Sequence, residues 1–144
     1  MKQVEAPVVT SEAAGGGLHL LVLDVPLVAA DAQPGQFVMV RCGRLTLRRP
    51  LSVHAASDRY LALLIRVAGQ GTELLSKLGE GDLVSLTGPL GTGFSLPFPS
   101  EKVLLVAGGV GIAPLWFLGS RLPDETDVVL VYGTRTASER YITP

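Results

Sequence analysis

The sequence predicts a β-barrel followed by the opening of an α/β unit, and three observations carry that expectation. Short segments rich in Val and Leu recur through the first two thirds, separated by turn clusters. Near residue 100 the pattern changes at LPFPSEK, where two prolines and a serine mark a boundary. Beyond it, the apolar run KVLLVA ends in a glycine loop that leads into a second apolar stretch of helical length.

The elements follow in order. GLHLLVLDV, QFVMVR, PLSVHAA, YLALLIRV and DLVSLTGPL read as strands bounded by AGGG, QPG, SDR and EGD. Their regular spacing fits a closed or nearly closed antiparallel barrel. One helix interrupts them: after GQG, TELLSKL starts with Thr72 as N-cap and Glu73 in its first turn, and stops at Gly79. This divides the chain into residues 1–99, the barrel, and residues 100–144. In the second part KVLLVAG is a buried parallel-type strand, Pro114 suits a first helical turn, DVVLVYGT is the next buried strand, and TASERYITP starts a crossover that the chain does not complete. A doubly wound half needs about 100 residues, so this unit is expected to be incomplete.

Composition narrows the function classes. With 144 residues, 47% of them hydrophobic, the chain can bury a core. Its 12 basic and 13 acidic residues give a net charge of -1, which offers no broad footprint for nucleic acid or an anionic membrane. Any anion must be caught locally. The single cysteine, Cys42, excludes an intrachain disulfide and a four-thiolate metal or iron-sulfur site, and reads as a half-buried thiol. Early charges, no apolar signal core and no run near 18 apolar residues give the expectation of a soluble, cytoplasmic protein.

Two glycine loops precede helices, where free backbone N–H groups and the positive end of the helix dipole converge. In Gly69–Thr72, GQGT, two readings stand: a turn with an ordinary N-cap, or an anion cradle using Gly71, the Thr72 hydroxyl and the nearby charge of Arg66. An arginine inside the apolar LLIRV calls for a partner, either a bound phosphate or a carboxylate from elsewhere in the fold. GGVGIAP, with Gly108, Gly109 and Gly111, carries only part of the dinucleotide fingerprint, and a tight strand-helix turn explains it equally well. In Arg49-Pro50-Leu51-Ser52, alternation sends Arg49 and Leu51 to one face, Pro50 and Ser52 to the other. A hydroxyl there could meet a flat ligand; the other reading is an edge strand with a surface arginine.

Taken together, these three features resemble the ferredoxin reductase-like flavoproteins. Their flavin barrel carries an Arg-x-x-Ser motif followed by a glycine-threonine pyrophosphate loop, and their nicotinamide domain opens with a GGxGxxP-type loop. The ordered set PGQFVMV, RRPLS, LLIRV, GQGTELLSKL, GDLVSLTGPLGTGF, VLLVAGGVGIAPL and VYGTR is most similar to the electron-transfer subunits of bacterial dihydroorotate dehydrogenase. The resemblance implies a six-stranded Greek-key FAD-binding barrel, then the first βαβ portion of a nicotinamide-binding domain. It implies that Arg49, Pro50, Leu51 and Ser52 line FAD, with Ser52 the catalytic residue near the reactive edge of the isoalloxazine and Arg49 toward the phosphates. Leu64, Ile65 and Arg66 form a second contact strand, and Gly71 and Thr72 hold the pyrophosphate. Gly108, Gly109 and Gly111 admit NAD(P)H.

The implied activity is electron transfer between NAD(H) and the dihydroorotate dehydrogenase catalytic subunit, in pyrimidine biosynthesis, or another redox protein. Alternatives are a ferredoxin or flavodoxin reductase, a hydrogenase-associated flavoprotein subunit, and a non-catalytic flavin-binding fragment. The family's two-iron two-sulfur centre uses C-terminal cysteines that have no counterpart after Cys42. A piece of a longer subunit and a reduced relative both fit that departure.

The other polar residues receive no role. His19 and His54 have no Cys or acidic cluster beside them and read as barrel-wall or surface histidines, not metal ligands. Asp24, Asp58 and Asp82 fall near strand ends, and no serine has a GxSxG context. Trp116 and Phe117 read as packing the crossover helix against sheet or barrel, or as a subunit contact.

Overall fold

Alternation in YLALLIR sends Leu61, Leu63 and Ile65 to one face and Ala62 and Leu64 to the other, and the two sets meet different neighbours. In the computed structural model of the chain, which describes residues 1–95 and 102–141, the first set points into a closed barrel. Its strands are β1 (Lys2–Gly15), β2 (Leu18–Asp24), β3 (Phe37–Val40), β4 (Arg49–Ala56), β5 (Tyr60–Arg66) and β6 (Leu83–Leu90), with all pairings antiparallel. The order β1-β2-β5-β4-β3-β6 closes β6 onto β1 and separates β2 from β3 by two strands, the Greek-key crossing. Between β2 and β3, helix α1 (Pro26–Ala29) buries Val28 and Ala29 in the barrel core. Leu21, Leu23, Leu61, Leu63, Ile65 and Leu86 are fully buried there, each contributing roughly 1.5–3 kcal/mol.

The strand β1 has no counterpart in the five segments that alternation singles out. Only Ala6 and Val8 of its 14 residues are buried, so it lacks an apolar signature. It is held by main-chain pairing on both sides, to β6 through Lys2–Pro7 and to β2 through Val8–Gly15. Cys42 also departs from expectation: it is fully buried, and burial pushes its thiol pKa up, offset in part by the charge of Arg49.

Helix α2 (Gln70–Ser76) starts earlier than TELLSKL suggests. Its N-cap is Gly69, and Thr72 stands three residues inside. There the Thr72 hydroxyl accepts from the N–H groups of Ala68 and Gly69 at 3.0 and 3.2 Å and donates to the Gly69 carbonyl at 2.9 Å. Thr72 therefore serves the turn before the helix from within it.

The expected boundary at 99/100 falls outside the described residues. Beyond it, β7 (Lys102–Gly108) pairs in parallel with β8 (Asp127–Gly133), and α3 (Ile112–Gly119) crosses between them. The expectation that both strands are buried is corrected. Leu105 and Ala107 are covered on the α3 side, but Leu104, Val106, Val129 and Val131 are 52–64% exposed. These runs carry the composition of strands covered on both faces, while α3 covers one. A three-residue 3₁₀ turn, Ala137–Glu139, follows β8 where the next crossover was expected.

Helix α3 ties this unit to the barrel. Phe117, 1% exposed, inserts into the barrel core, whereas Trp116 stays 37% exposed. Leu64, on the outer face of β5, packs with Leu18, Ala107, Ile112, Ala113 and Tyr141 in a second apolar cluster.

Candidate functional site

The β4–β5 ladder runs from Ala56↔Leu61 to Val53↔Leu63 and stops. Beyond it β4 remains paired with β3 through Arg49–Ser52, and β5 with β2 through Leu64–Arg66. The two strands therefore part at one corner of the barrel, and their facing edges are left without ladder partners. A cavity of about 270 Å³ occupies this fork. Pro50, Leu51 and Ser52 form one wall, Leu64, Ile65 and Arg66 another, and Val110, Gly111, Ala113 and Pro114 close it. Three segments distant in sequence thus meet in one cleft. Pro50 and Ser52 are exposed while Arg49 and Leu51 are half-buried, as alternation requires. RPLS is a local edge within a closed barrel: Arg49–Ser52 pair only with β3, so the edge-strand reading holds on the side facing the cleft, although Arg49 is half-buried and not a surface arginine.

The two arginines go to different glycine loops. At the start of β4, Arg49 lies against α2: a Cβ at Gly71 would come within 3.2 Å of Arg49 Nε and 3.3 Å of Cys42 Sγ. Gly71 is thus the residue that lets the guanidinium approach the first turn of the helix. Arg49 makes one long contact, 3.4 Å to the Leu47 carbonyl, and no carboxylate among the described residues pairs with it. Arg66 leads by backbone into GQGT, but its guanidinium faces the second loop, with Nη2 3.0 Å from a Cβ built on Gly109.

Around Arg66 a second cavity of about 440 Å³ opens at the C-terminal ends of β7 and β8, lined by Gly108, Gly109, Gly133, Thr134, Arg135 and Glu139. Such a crevice beyond the carboxyl ends of parallel strands is where open α/β sheets take ligands. Arg135 donates to both Glu139 oxygens, at 2.9 and 3.3 Å, and holds that carboxyl below its ordinary pKa, with the charge of Arg66 acting in the same direction. No described carboxylate forms an ion pair with Arg66.

Glycine has a conformational reason at Gly109, where φ is +53°, but not at Gly108 or Gly111, whose φ values are -120° and -60°. Nothing lies within 4 Å of a Cβ at either position. The protein itself thus has no need of glycine there, and an approaching ligand group is a sufficient reason. Gly108→Ala is accordingly expected to leave thermal stability within about 0.5 kcal/mol, measured by melting. A destabilised variant would show an internal role instead.

One residue that sequence reasoning set aside belongs to the surroundings of this cleft. His54, on β4 two residues after Ser52, is 4% exposed and contacts Ala113, Trp116 and Tyr141. Its only sequence signal was an imidazole inside an apolar strand. His19 lines the barrel wall with Nε2 2.8 Å from Ser11 Oγ. No group of three potential metal ligands occurs among the described residues, and no described helix is long and apolar enough to cross a membrane. Asp24 pairs with Arg59, and Asp82 accepts from the Gly79 N–H, so both serve turns.

Comparison with known proteins adds the following. No family model matches the chain. An electron transfer subunit of dihydroorotate dehydrogenase B (NAD(+)) from Desulforamulus reducens is 50% identical over 119 residues, covering 79% of this chain and 45% of that protein. The subunit of the same name from Listeria monocytogenes is 36% identical over 149 residues, covering 98% of this chain and 58% of that protein. The chain thus spans about half the length of these relatives. Among solved structures, the ferredoxin reductase in carbazole 1,9a-dioxygenase superposes with a TM-score of 0.84 at 29% identity, covering 98% of this chain and 45% of that one. That reductase is also known in an FAD-apo form. The chain is therefore ferredoxin reductase-like in fold and, over about half of their length, similar in sequence to the electron-transfer subunits of dihydroorotate dehydrogenase B.

Proposed function

We propose that this chain binds FAD between the first turn of α2 and the β4–β5 fork, and that it serves electron transfer between a nicotinamide dinucleotide and a redox partner protein. The observation that carries the reading is the convergence of RPLS, LIR and the GGVGIAP loop on one cleft, with Arg49 directed separately to GQGT. The residues suit the group. A flat apolar ring system fits the fork, where Pro50 and Ser52 present the exposed face of β4 and the strand edges are open. A diphosphate suits the Gly69–Thr72 turn with the Arg49 guanidinium.

In this reading each element has a separate task. Arg49 supplies charge, Gly71 lets that charge reach the helix, and Thr72 fixes the turn. Ser52 Oγ is the hydroxyl placed to contact the ring edge. Arg66 and Gly108–Gly111 receive the dinucleotide at the mouth of the crevice, so that the two cavities share Arg66 as a common wall. Bound flavin supplies the conversion between two-electron hydride chemistry and single-electron transfer. Cys42, fully buried, does not fit as an iron–sulfur ligand, and no step is assigned to such a cluster.

The relatives' name supports a dihydroorotate dehydrogenase catalytic subunit as the partner. The likeness to a ferredoxin reductase favours a second reading, in which the partner is a small iron–sulfur protein. Purified chain is expected to be yellow, to release FAD on denaturation and to lose its flavin colour on adding NADH. A colourless chain that refuses FAD would sink the proposal. Copurification with a dihydroorotate-oxidising protein separates the two partners.

A further inference from the structure

His54 has no part in the roles assigned above, yet through it the barrel holds the loop that closes the cleft. Its Nδ1 lies 3.2 Å from the Ala113 carbonyl oxygen and its Nε2 3.2 Å from the Tyr141 hydroxyl. A carbonyl only accepts, so Nδ1 carries the proton and Nε2 accepts from the Tyr141 O–H. One neutral tautomer satisfies both partners. Trp116 stacks on the imidazole at 6.5 Å and Tyr141 meets it edge-on at 5.5 Å. Ala113, in the first turn of α3, lines the cleft opposite Pro50–Ser52, so the Nδ1 tether spans the same gap as the cleft.

We propose that His54 is a positioning residue and a proton-operated latch: neutral, it holds the Gly108–Pro114 loop at a fixed distance from the β4–β5 fork, and protonated, it releases it. The consequence for cofactor access rests on the flavin reading, whereas the latch itself does not.

A second proton goes on Nε2: it leaves the Nδ1–H donor to Ala113 in place and takes away the acceptor of the Tyr141 O–H, so what opposes it is burial of the charge. Nε2–H would face a hydroxyl that must first turn round, and the new charge would be desolvated beside an indole and a phenol. Of the groups that bond or stack with His54, Tyr141 alone is titratable, and burial first, then Glu12, raises its pKa, so it stays neutral. Helix α3 contributes Ala113 and Trp116, both uncharged. Arg121, just after α3, donates to the carbonyl of Ala56 on the His54 strand at 2.9 Å and can only oppose another cation. Burial accordingly lowers the pKa of His54 from its ordinary 6.5, with the Ala113 contact a smaller opposing influence. The sign follows: the closed joint is fully held above the ordinary value, because both forms are then neutral. As pH falls from there toward the lowered value, only the open form takes up the proton. In that window the open fraction grows about tenfold per pH unit.

Trp116 is the only tryptophan in the chain, and a protonated imidazole stacked on indole quenches its fluorescence. Fluorescence is titrated from about pH 8 to about pH 5, in parallel with amide hydrogen exchange across residues 108–118 corrected for intrinsic rates. The expected result is a fluorescence step with its midpoint below 6.5, over the same interval in which exchange accelerates. His54→Asn keeps a donor near the Nδ1 position but has no titration, so the step should vanish and exchange stay slow in acid. His54→Leu should exchange fast at every pH. A step that survives in His54→Asn, an ordinary midpoint, or a step with unchanged exchange would each overturn the latch. If His54→Leu does not fold, wild type and His54→Asn decide alone. Neither readout needs a cofactor, so a colourless chain that shows the step sinks only the flavin reading, and a yellow chain without it sinks only the latch.

Discussion

Arg49→Ala is expected to weaken FAD binding about 10- to 100-fold without unfolding the barrel. Arg49 is half-buried beside the first turn of α2, with no carboxylate partner among the described residues, so its charge is uncommitted within the protein. A charge-assisted contact contributes about 1.5–3 kcal/mol, which sets the expected loss. Arg49→Lys keeps the charge but not the planar fork, and should fall between alanine and wild type. Arg66→Ala is the paired control. Since Arg66 faces Gly109, its loss should cost nicotinamide binding more than flavin binding. Titrations of apoprotein with FAD, and of flavin-loaded protein with a non-reacting dinucleotide, give both affinities. An unchanged FAD affinity in Arg49→Ala would remove the diphosphate role from this corner.

Phe117→Ala should cost about 3–5 kcal/mol and lower the melting temperature by on the order of 10 °C. The loss is large because Phe117, though carried by α3, is 1% exposed in the barrel's own core cluster. It fills that core from outside the barrel sheet, so its removal leaves a cavity in one unit and loosens the anchor of the other. The Arg121 guanidinium, 5.3 Å from the ring centroid, loses its aromatic partner as well. Domains of this size hold roughly 5–15 kcal/mol in total, so a large fraction is at stake. Melting followed by circular dichroism measures it, and a change under about 1 kcal/mol would place Phe117 among the near-neutral surface positions.

The barrel was legible because its strands carry the period-two pattern that one-sided burial imposes: β2, β4, β5 and β6 were readable from Leu and Val positions alone. Strand, loop and helix order in the second unit was readable from continuous apolar runs on either side of a glycine loop. Strand β1 was not, since its place is fixed by two neighbours' main chains and not by its own side chains. The start of α2 was misplaced because a threonine three residues inside a helix can satisfy the same backbone groups as an N-cap. In VLLVAG and DVVLVYG composition reports the burial a strand is built for, which differs from the cover α3 gives it here. The site was legible as a set of motifs but not as a map. No local signal shows that Arg66 turns toward Gly109 rather than the GQGT it precedes, or that His54 finds Ala113 and Tyr141, because both outcomes depend on α3 docking onto β4.

The fork between β4 and β5 bears on how freely this corner can vary. Side chains beside it are already engaged elsewhere: Ile65 in the barrel core, Leu51 packed against that core, and Leu64 in the cluster under α3. The fork also turns outward the unladdered peptide groups of both strands, and these are the same whatever residue carries them. A ligand held by main chain tolerates exchange among apolar side chains that keep both cores filled, so Leu51 and Leu64 can drift within volume limits. Pro50 and Ser52, which face the cleft and serve no core, have no second duty to preserve them. Under the proposed flavin reading, selection on those two positions reads out the ligand alone.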